Sequence, residues 1–444
     1  MPSRTCPLPR PAGRTALAVL LSVVLACAAQ GACAADEEGA PPPVGGLTTP
    51  AALVREALAH NPELAAARAG REAARARVPQ AAAFEDPMLE AGLVNAPIPS
   101  LSGRGEDMTM RMLGLSQKFS FPGKRPLRRA VAQADADGLD AASDELAHRV
   151  ARDVRVAAAQ LQRLDALQPL LVGTQQSLRS LAALAEGRYA LGRASQGDAL
   201  AAQSALAQLD VELIGLREER AVALAGLGAL LGRPATALRI VAPAEVAAGQ
   251  DRWRAGGEQR PQLRALAAMA EREERALELA RRERYPDFEV KLGYGQRQRA
   301  IDGTPRADMV TMTVAMNLPV FHDARQGPRV AEARADAERA QAMLEAQRLQ
   351  TRSDIERQLA TARAAQERLA LARDTLRPQA DALYESRLAA YRAGQGGFDA
   401  LLEAGMRRLE VARAQLDAAS QAGISGAELD LLAGTNPDTQ GDAP

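Results

Sequence analysis

The chain has 444 residues, with 55 Lys and Arg against 55 Asp and Glu, and aromatics make up 3% of it. Zero net charge excludes a nucleic-acid binder that works by neutralising phosphates. Three His and three Cys exclude most metal-centred and thiol enzymes, and no catalytic constellation is present, so neither enzyme activity nor a cofactor is expected. Ala, Leu, Arg, Glu and Gln dominate, which favours long helices in thin layers over a thick core.

All the cysteines, Cys6, Cys27 and Cys33, fall at the N-terminus. There Arg4, Arg10 and Arg14 precede an apolar run from Ala16 to Ala29 and a small-residue site, Ala32-Cys33-Ala34. This is the layout of a secretory signal over 1–34. A second reading attaches lipid at Cys27, where Ala26 fits a lipobox and Leu25 fits poorly. Both carry the chain out of a bacterial cytoplasm. Residues 35–49, ADEEGAPPPVGGLTT, read as a disordered spacer.

The rest of the chain reads twice, over 50–234 and 259–434, with a linker at 235–258 and a disordered tail at 435–444. Asn61-Pro62-Glu63-Leu64 opens the first copy and Arg260-Pro261-Gln262-Leu263 the second. Each continues with a helix, two alternating segments, a very long helix, a Tyr-x-x-Gly turn and a returning helix. The turns are Tyr189 to Gly192 and Tyr391 to Gly394, and the copies close on Leu230-Leu231-Gly232 and Leu431-Leu432-Ala433-Gly434. This is a duplicated half-protein, since the period is too long for a solenoid.

Strict alternation predicts strand pairs within 86–121 and 286–320. Leu89, Ala91 and Leu93 share a face, as do Leu113, Leu115, Phe119 and Phe121. So do Phe288, Val290, Leu292 and Tyr294, and the run from Val310 through Met312, Val314 and Met316 to Leu318 and Val320. Segments of about ten residues with one wide apolar face suit a membrane β-barrel. Two amphipathic hairpins packed on helices are the alternative. Four strands cannot close a barrel, for which about eight are needed, and an open edge is not tolerated in lipid. Three chains would share one barrel of twelve strands.

The helix over 126–191 would be about 100 Å long. Val150, Ala157, Leu164, Leu171 and Leu178 recur every seventh position, as do Ile355, Ala362, Leu369, Leu376 and Leu383, a coiled-coil stripe. Pro169 and Pro378 are expected to kink or break these helices. His60, His148 and His322 lack partners at ligand spacing and read as surface or junction residues. Met108, Met110 and Met112 share one strand face. They are weak candidates for a soft-metal site, with strand packing the plainer reading.

Several motifs, taken in order, carry a family resemblance. They are Arg188-Tyr189-x-x-Gly192-x-x-Ser195-x-x-Asp198, Tyr391-x-x-Gly394, and Phe398-Asp399 through Glu403-Ala404. With them go Asp86-Pro87, Asn95-x-Pro97, Phe119 through Arg125 (FSFPGKR), and Ala229 through Pro234. The chain resembles the TolC-type outer membrane efflux proteins, and within them the heavy-metal CzcC/CusC-like branch. The resemblance implies a mainly α fold with a small membrane β part, assembled as a homotrimer. A twelve-stranded barrel in outer membrane lipid would continue into a periplasmic α-barrel. The turns around Gly192, Ser195, Asp198, Gly394 and Gly397 would meet a periplasmic adaptor coupled to an inner-membrane RND pump. Asp399 and Glu403 are candidates for an acidic periplasmic gate, with ordinary solvated charge as the alternative. The implied function is passive export of heavy-metal cations. Drug or protein export is the nearer alternative and a periplasmic coiled-coil adaptor or scaffold the more distant one.

Overall fold

A computed structural model describes residues 47–98, 106–192, 195–235, 238–241 and 250–435. The signal over 1–34, Cys27 and most of the spacer and tail lie outside the described residues. In the first copy, β1 (Leu47–Thr48) leads into α1 (Pro50–His60) and α2 (Pro62–Ala82). Then follow β2 (Met88–Val94), β3 (Met110–Phe119), α3 (Lys124–Ala190) and α4 (Gln196–Leu231). After β4 (Arg239–Ile240) the order repeats: α5 (Gln250–Gly256), α6 (Pro261–Arg282), β5 (Phe288–Arg297) and β6 (Met309–Met316). A π-turn at His322–Gln326 opens α7 (Gly327–Leu371), and a second at Ala372–Leu376 joins it to α8 (Arg377–Arg392), before α9 (Phe398–Leu432).

Local chemistry sets the helix starts. Thr49 caps α1 ahead of Pro50, and the Asn61 side-chain Oδ1 accepts from the Glu63 and Leu64 N–H groups around Pro62. The Asn61 amide also donates to Leu230 O at 2.9 Å, tying the start of α2 to the end of α4. One segment differs from its sequence reading. Residues 47–49 of the spacer are structured, because β1 pairs in parallel with β4, Leu47 opposite Arg239 and Thr48 opposite Ile240. The linker or equatorial segment over 235–258 carries β4 and α5.

Strands β2, β3, β5 and β6 form one antiparallel sheet in that order, with β2 and β6 as edges. Its register places Leu89, Leu115, Leu292 and Met312 in one row across all four strands, and Ala91, Leu113, Tyr294 and Val310 in the next. The opposite face carries Glu90, Ser116, Lys118, Glu289, Lys291 and Thr313. The last strand stops at Met316, short of Leu318 and Val320, because Pro319 has no N–H to give the ladder.

The two prolines behave differently from each other. Pro169 lies inside an unbroken α3 of 67 residues. Leu164 and Leu171 on either side of it are buried, so packing holds the helix through the missing hydrogen bond. Hydroxyls of Thr174, Ser177 and Ser180 donate to carbonyls four residues back, at 2.9, 3.0 and 3.1 Å, which favours gentle bending of this stretch. Pro378 follows directly on the π-turn at Ala372–Leu376, which interrupts the α-helix there as expected.

One apolar cluster joins the hairpins through Leu171, Leu178, Leu209, Tyr391, Phe398 and Leu401. A second packs α1 on α3 and α4 through Leu53, Val54, Val154, Leu161 and Leu227. Around Trp253, whose indole N–H donates to Asp430 Oδ1 at 3.0 Å, a third gathers Ile355, Leu359 and Leu429. Most of the first heptad stripe is buried, whereas in the second Leu383 is 43% exposed. No helix among the described residues is long and apolar enough to cross a membrane.

His148 sits half-buried on α3. Burial pushes its pKa down, against the upward pull of Glu145 and Asp144. A lowered folded pKa means the unfolded chain takes the proton first. The stability is present above the unfolded value of about 6.5 and declines as pH falls below it. His148→Gln should therefore narrow the gap between thermal midpoints measured at pH 7.5 and pH 5.5. An unchanged gap would mean His148 contributes nothing to acid sensitivity.

Candidate functional site

The two hairpin turns come together. In the first, α3 ends in a turn at Gly192, whose φ is 67° and whose N–H donates to Tyr189 O at 2.9 Å. Ser195 then caps α4. Its hydroxyl accepts from the Asp198 N–H at 3.2 Å and donates to the Asp198 carboxylate at 2.7 Å. This reciprocal cap gives both residues a local structural role. In the second, α8 ends at Gly394, with φ 77°, and Gln395 N–H donates to Ala390 O at 2.9 Å. Positive φ favours glycine at both corners. Gly397 is different: it precedes α9 in an extended conformation, φ −76° and ψ 153°, open to any residue.

Arg188 links the turns across the duplication. Its guanidinium donates to Tyr391 O at 2.5 Å and lies 4.6 Å from the centre of the Tyr391 ring. That ring meets Phe398 edge-on at 5.7 Å. Burial, the largest influence, raises the Tyr391 phenol above its usual pKa. Tyr189 matches Tyr391 in the repeat, yet Tyr189 is 49% exposed and Tyr391 only 2%. Sequence reasoning quoted Arg188, Tyr391 and Phe398 but missed their contact. The available signal was the residue before each tyrosine of the repeated pair, Arg188 before Tyr189 and Ala390 before Tyr391.

Asp399 and Glu403 lie on the first turns of α9, one helical turn apart and both exposed. Asp399 also complements the positive end of that helix. Met110 and Met112 lie over Gly295 and Gly293 of β5, where a Cβ at either glycine would collide with a thioether. That packing accounts for both. Met108 precedes the strand and is exposed, with its carbonyl accepting from the Asn95 amide at 3.4 Å. Among the described residues no three His, Cys, Asp or Glu side chains cluster as metal ligands.

Residues 53–233 and 257–435 each match the outer membrane efflux protein family, one match per copy of the repeat. The chain belongs to that family. It is 29% identical over 347 residues to Protein CyaE of Bordetella pertussis, covering 73% of this chain and 72% of the relative. The outer membrane protein VceC from Vibrio cholerae superposes with a TM-score of 0.75 at 22% identity, over 87% of this chain and 96% of the other. The transmembrane channel CusC gives 0.75 at 16% identity, over 87% and 92%. These likenesses establish the fold of the chain.

Proposed function

We propose that three copies of this chain form an outer-membrane exit duct. It conducts substrate passively from a periplasmic adaptor and an inner-membrane RND pump to the exterior. One observation carries the reading: a four-stranded sheet with two unpaired edges and a continuous apolar face turned to its surroundings. In the row across the sheet, Leu89 is 69% exposed, Leu292 54% and Met312 69%. A single soluble chain has no use for that face. Lipid covers it at no cost, but lipid does not tolerate the open edges. Joining β6 of one copy to β2 of the next removes every edge and closes twelve strands. The exposed part of the second heptad stripe would then pack between copies. Cross-linking in outer membranes should trap trimers. Recovery of monomers alone would end this reading.

The heavy-metal branch motifs, FSFPGKR foremost, support cations as the cargo. In a trimer, Asp399 and Glu403 would each recur three times about the axis. Carboxylates there would attract hydrated cations to the periplasmic mouth. Such rings repel themselves, so closure rests on helix packing. Asp399→Asn with Glu403→Gln should assemble normally, while cation over anion preference in planar bilayers falls several-fold. Block by multivalent cations added from the periplasmic side should weaken in parallel. Wild-type behaviour in both assays would make these ordinary surface charges.

A further inference from the structure

Where the sheet hands over to the helices, the basic residues fall into two groups. The first holds the junction together. The Lys124 ammonium donates to Tyr285 O at 2.7 Å and to Asp287 Oδ1 at 2.8 Å, and Arg125 Nε to Ala82 O at 2.9 Å. Arg128 donates to the Ser120 hydroxyl at 3.0 Å. The second group lines a cleft of about 520 Å³ between the start of α3 and the end of α6. One wall is Gly123 and Leu127, and the other is Arg281, Arg282, Arg284 and Tyr285. Arg281 and Arg282 are exposed and have no ion-pair partner among the described residues. Arg284 donates to the Tyr285 hydroxyl at 2.9 Å and lies 5.0 Å from its ring centre. The cleft's one acid, Glu278, pairs with Arg275 at 3.5 Å. Gly123, at φ 95°, lets the Arg282 guanidinium come close, since a Cβ there would sit 3.1 Å from its Nη1.

The cleft opens beside the foot of the apolar face. Phe119 lies on that face in phase with Leu115, and meets Phe84 edge-on at 5.9 Å. Phe121, two residues on, stacks on Tyr285 at 4.6 Å, and Tyr285 is a wall of the cleft. Aromatic rings at the end of a lipid-facing sheet mark headgroup depth. Lys124 and Arg128 instead turn to Asp287 and Ser120, in phase with the polar face. The free arginines thus stand where phosphates of a lipid leaflet would be.

We propose that this cleft binds the headgroup of an anionic phospholipid, its phosphate held by Arg281, Arg282 and Arg284. Arginine suits the task because its planar fork matches phosphate oxygens two at a time. The proposal rests on the membrane-spanning reading of the sheet. Tyr285 would pack beside the glycerol region, and the apolar rows above would take the acyl chains.

The test uses the intact full-length assembly, delipidated in mild detergent and examined by native mass spectrometry. It is titrated with phosphatidylglycerol, phosphatidylethanolamine or inorganic phosphate. The wild type should prefer phosphatidylglycerol. Arg281→Gln, Arg282→Gln and Arg284→Gln combined should weaken that binding roughly tenfold or more. Arg264→Gln, matched in charge to each single variant and far down α6, should leave it intact. Where the triple variant fails to assemble, the single variants carry the same comparison with smaller losses. Equal binding by variant and wild type would overturn the site. Full displacement of lipid by millimolar inorganic phosphate would make it a free-anion site and overturn the lipid assignment. Vesicle flotation separates the two levels. Insertion without headgroup preference sinks the cleft alone, whereas failure to insert sinks the membrane reading beneath it.

Discussion

Glu145→Ala is expected to destabilise the protein by about 3–5 kcal/mol, the range for stranding one member of a buried ion pair. Glu145 on α3 and Arg260 before α6 have side chains only 9% exposed each, with Arg260 Nη2 2.6 Å from Glu145 Oε1. The carboxylate also accepts from the Gln262 N–H at 3.1 Å. Arg260 stands at the position that Asn61 fills in the first copy, and an arginine cannot accept from a helix N-terminus. Glu145 reaches over from α3 to supply the missing cap. Its loss therefore strands both a buried guanidinium and an N–H donor. Glu219→Ala, whose side chain is 62% exposed, should change stability by no more than about 0.5 kcal/mol. Glu145→Leu with Arg260→Leu should recover much of the loss. Denaturant titration of the four proteins checks the series, and a Glu145→Ala midpoint equal to wild type would reject it.

Gly192→Val and Gly394→Val are each expected to abolish export while assemblies still reach the outer membrane. A β-branched residue at φ 67° or 77° costs about 1–2 kcal/mol and pushes the corner toward another shape. Neither site is crowded. A Cβ at Gly192 would meet nothing within 4 Å, and at Gly394 only the Arg188 guanidinium at 3.6 Å. The damage should stay local to the surface proposed to meet the adaptor. Gly397→Val makes the informative contrast, because φ −76° accommodates valine and a Cβ there also meets nothing within 4 Å. If backbone shape is what the partner reads, Gly397→Val should retain most activity. Export of the proposed metal cargo, read as metal resistance in cells with surface assembly measured alongside, reports the outcome. Normal resistance in both corner variants would remove the turns from the docking interface.

The strands were legible because their pattern is local. Alternation from Phe288 to Tyr294 needs no knowledge of a partner, and it located β5 within a few residues. The long helices and Gly192 and Gly394 were legible for the same reason. Pro169 misled because a helix held along its length by Leu164 and Leu171 survives a missing hydrogen bond. Contacts spanning the repeat were out of reach. Arg188 and Tyr391 lie 203 residues apart, and Arg260 and Glu145 115 apart, so their pairing follows only from how the copies fold together. Asp399 and Glu403 remain proposals for another reason: a ring about a symmetry axis belongs to several chains.

The methionines over the β5 glycines bear on how the strands find each other. Met110 pairs with Arg297 in the ladder and Met112 with Gly295, while their thioethers lean over Gly295 and Gly293. A slip of two residues one way would lean Met112 onto Lys291. The same slip the other way would lean Met110 onto Arg297. Either error replaces an empty slot with a long charged side chain, so the seam between the two copies tolerates a single alignment. The seams β2 to β3 and β5 to β6 join strands that are neighbours in sequence, connected through residues 95–109 and 298–308. Only β3 to β5 must be matched over a long stretch of intervening chain. The bulky sulfurs and bare glycines fit one another in the native register, which disfavours misaligned pairings across this seam of the four-stranded sheet.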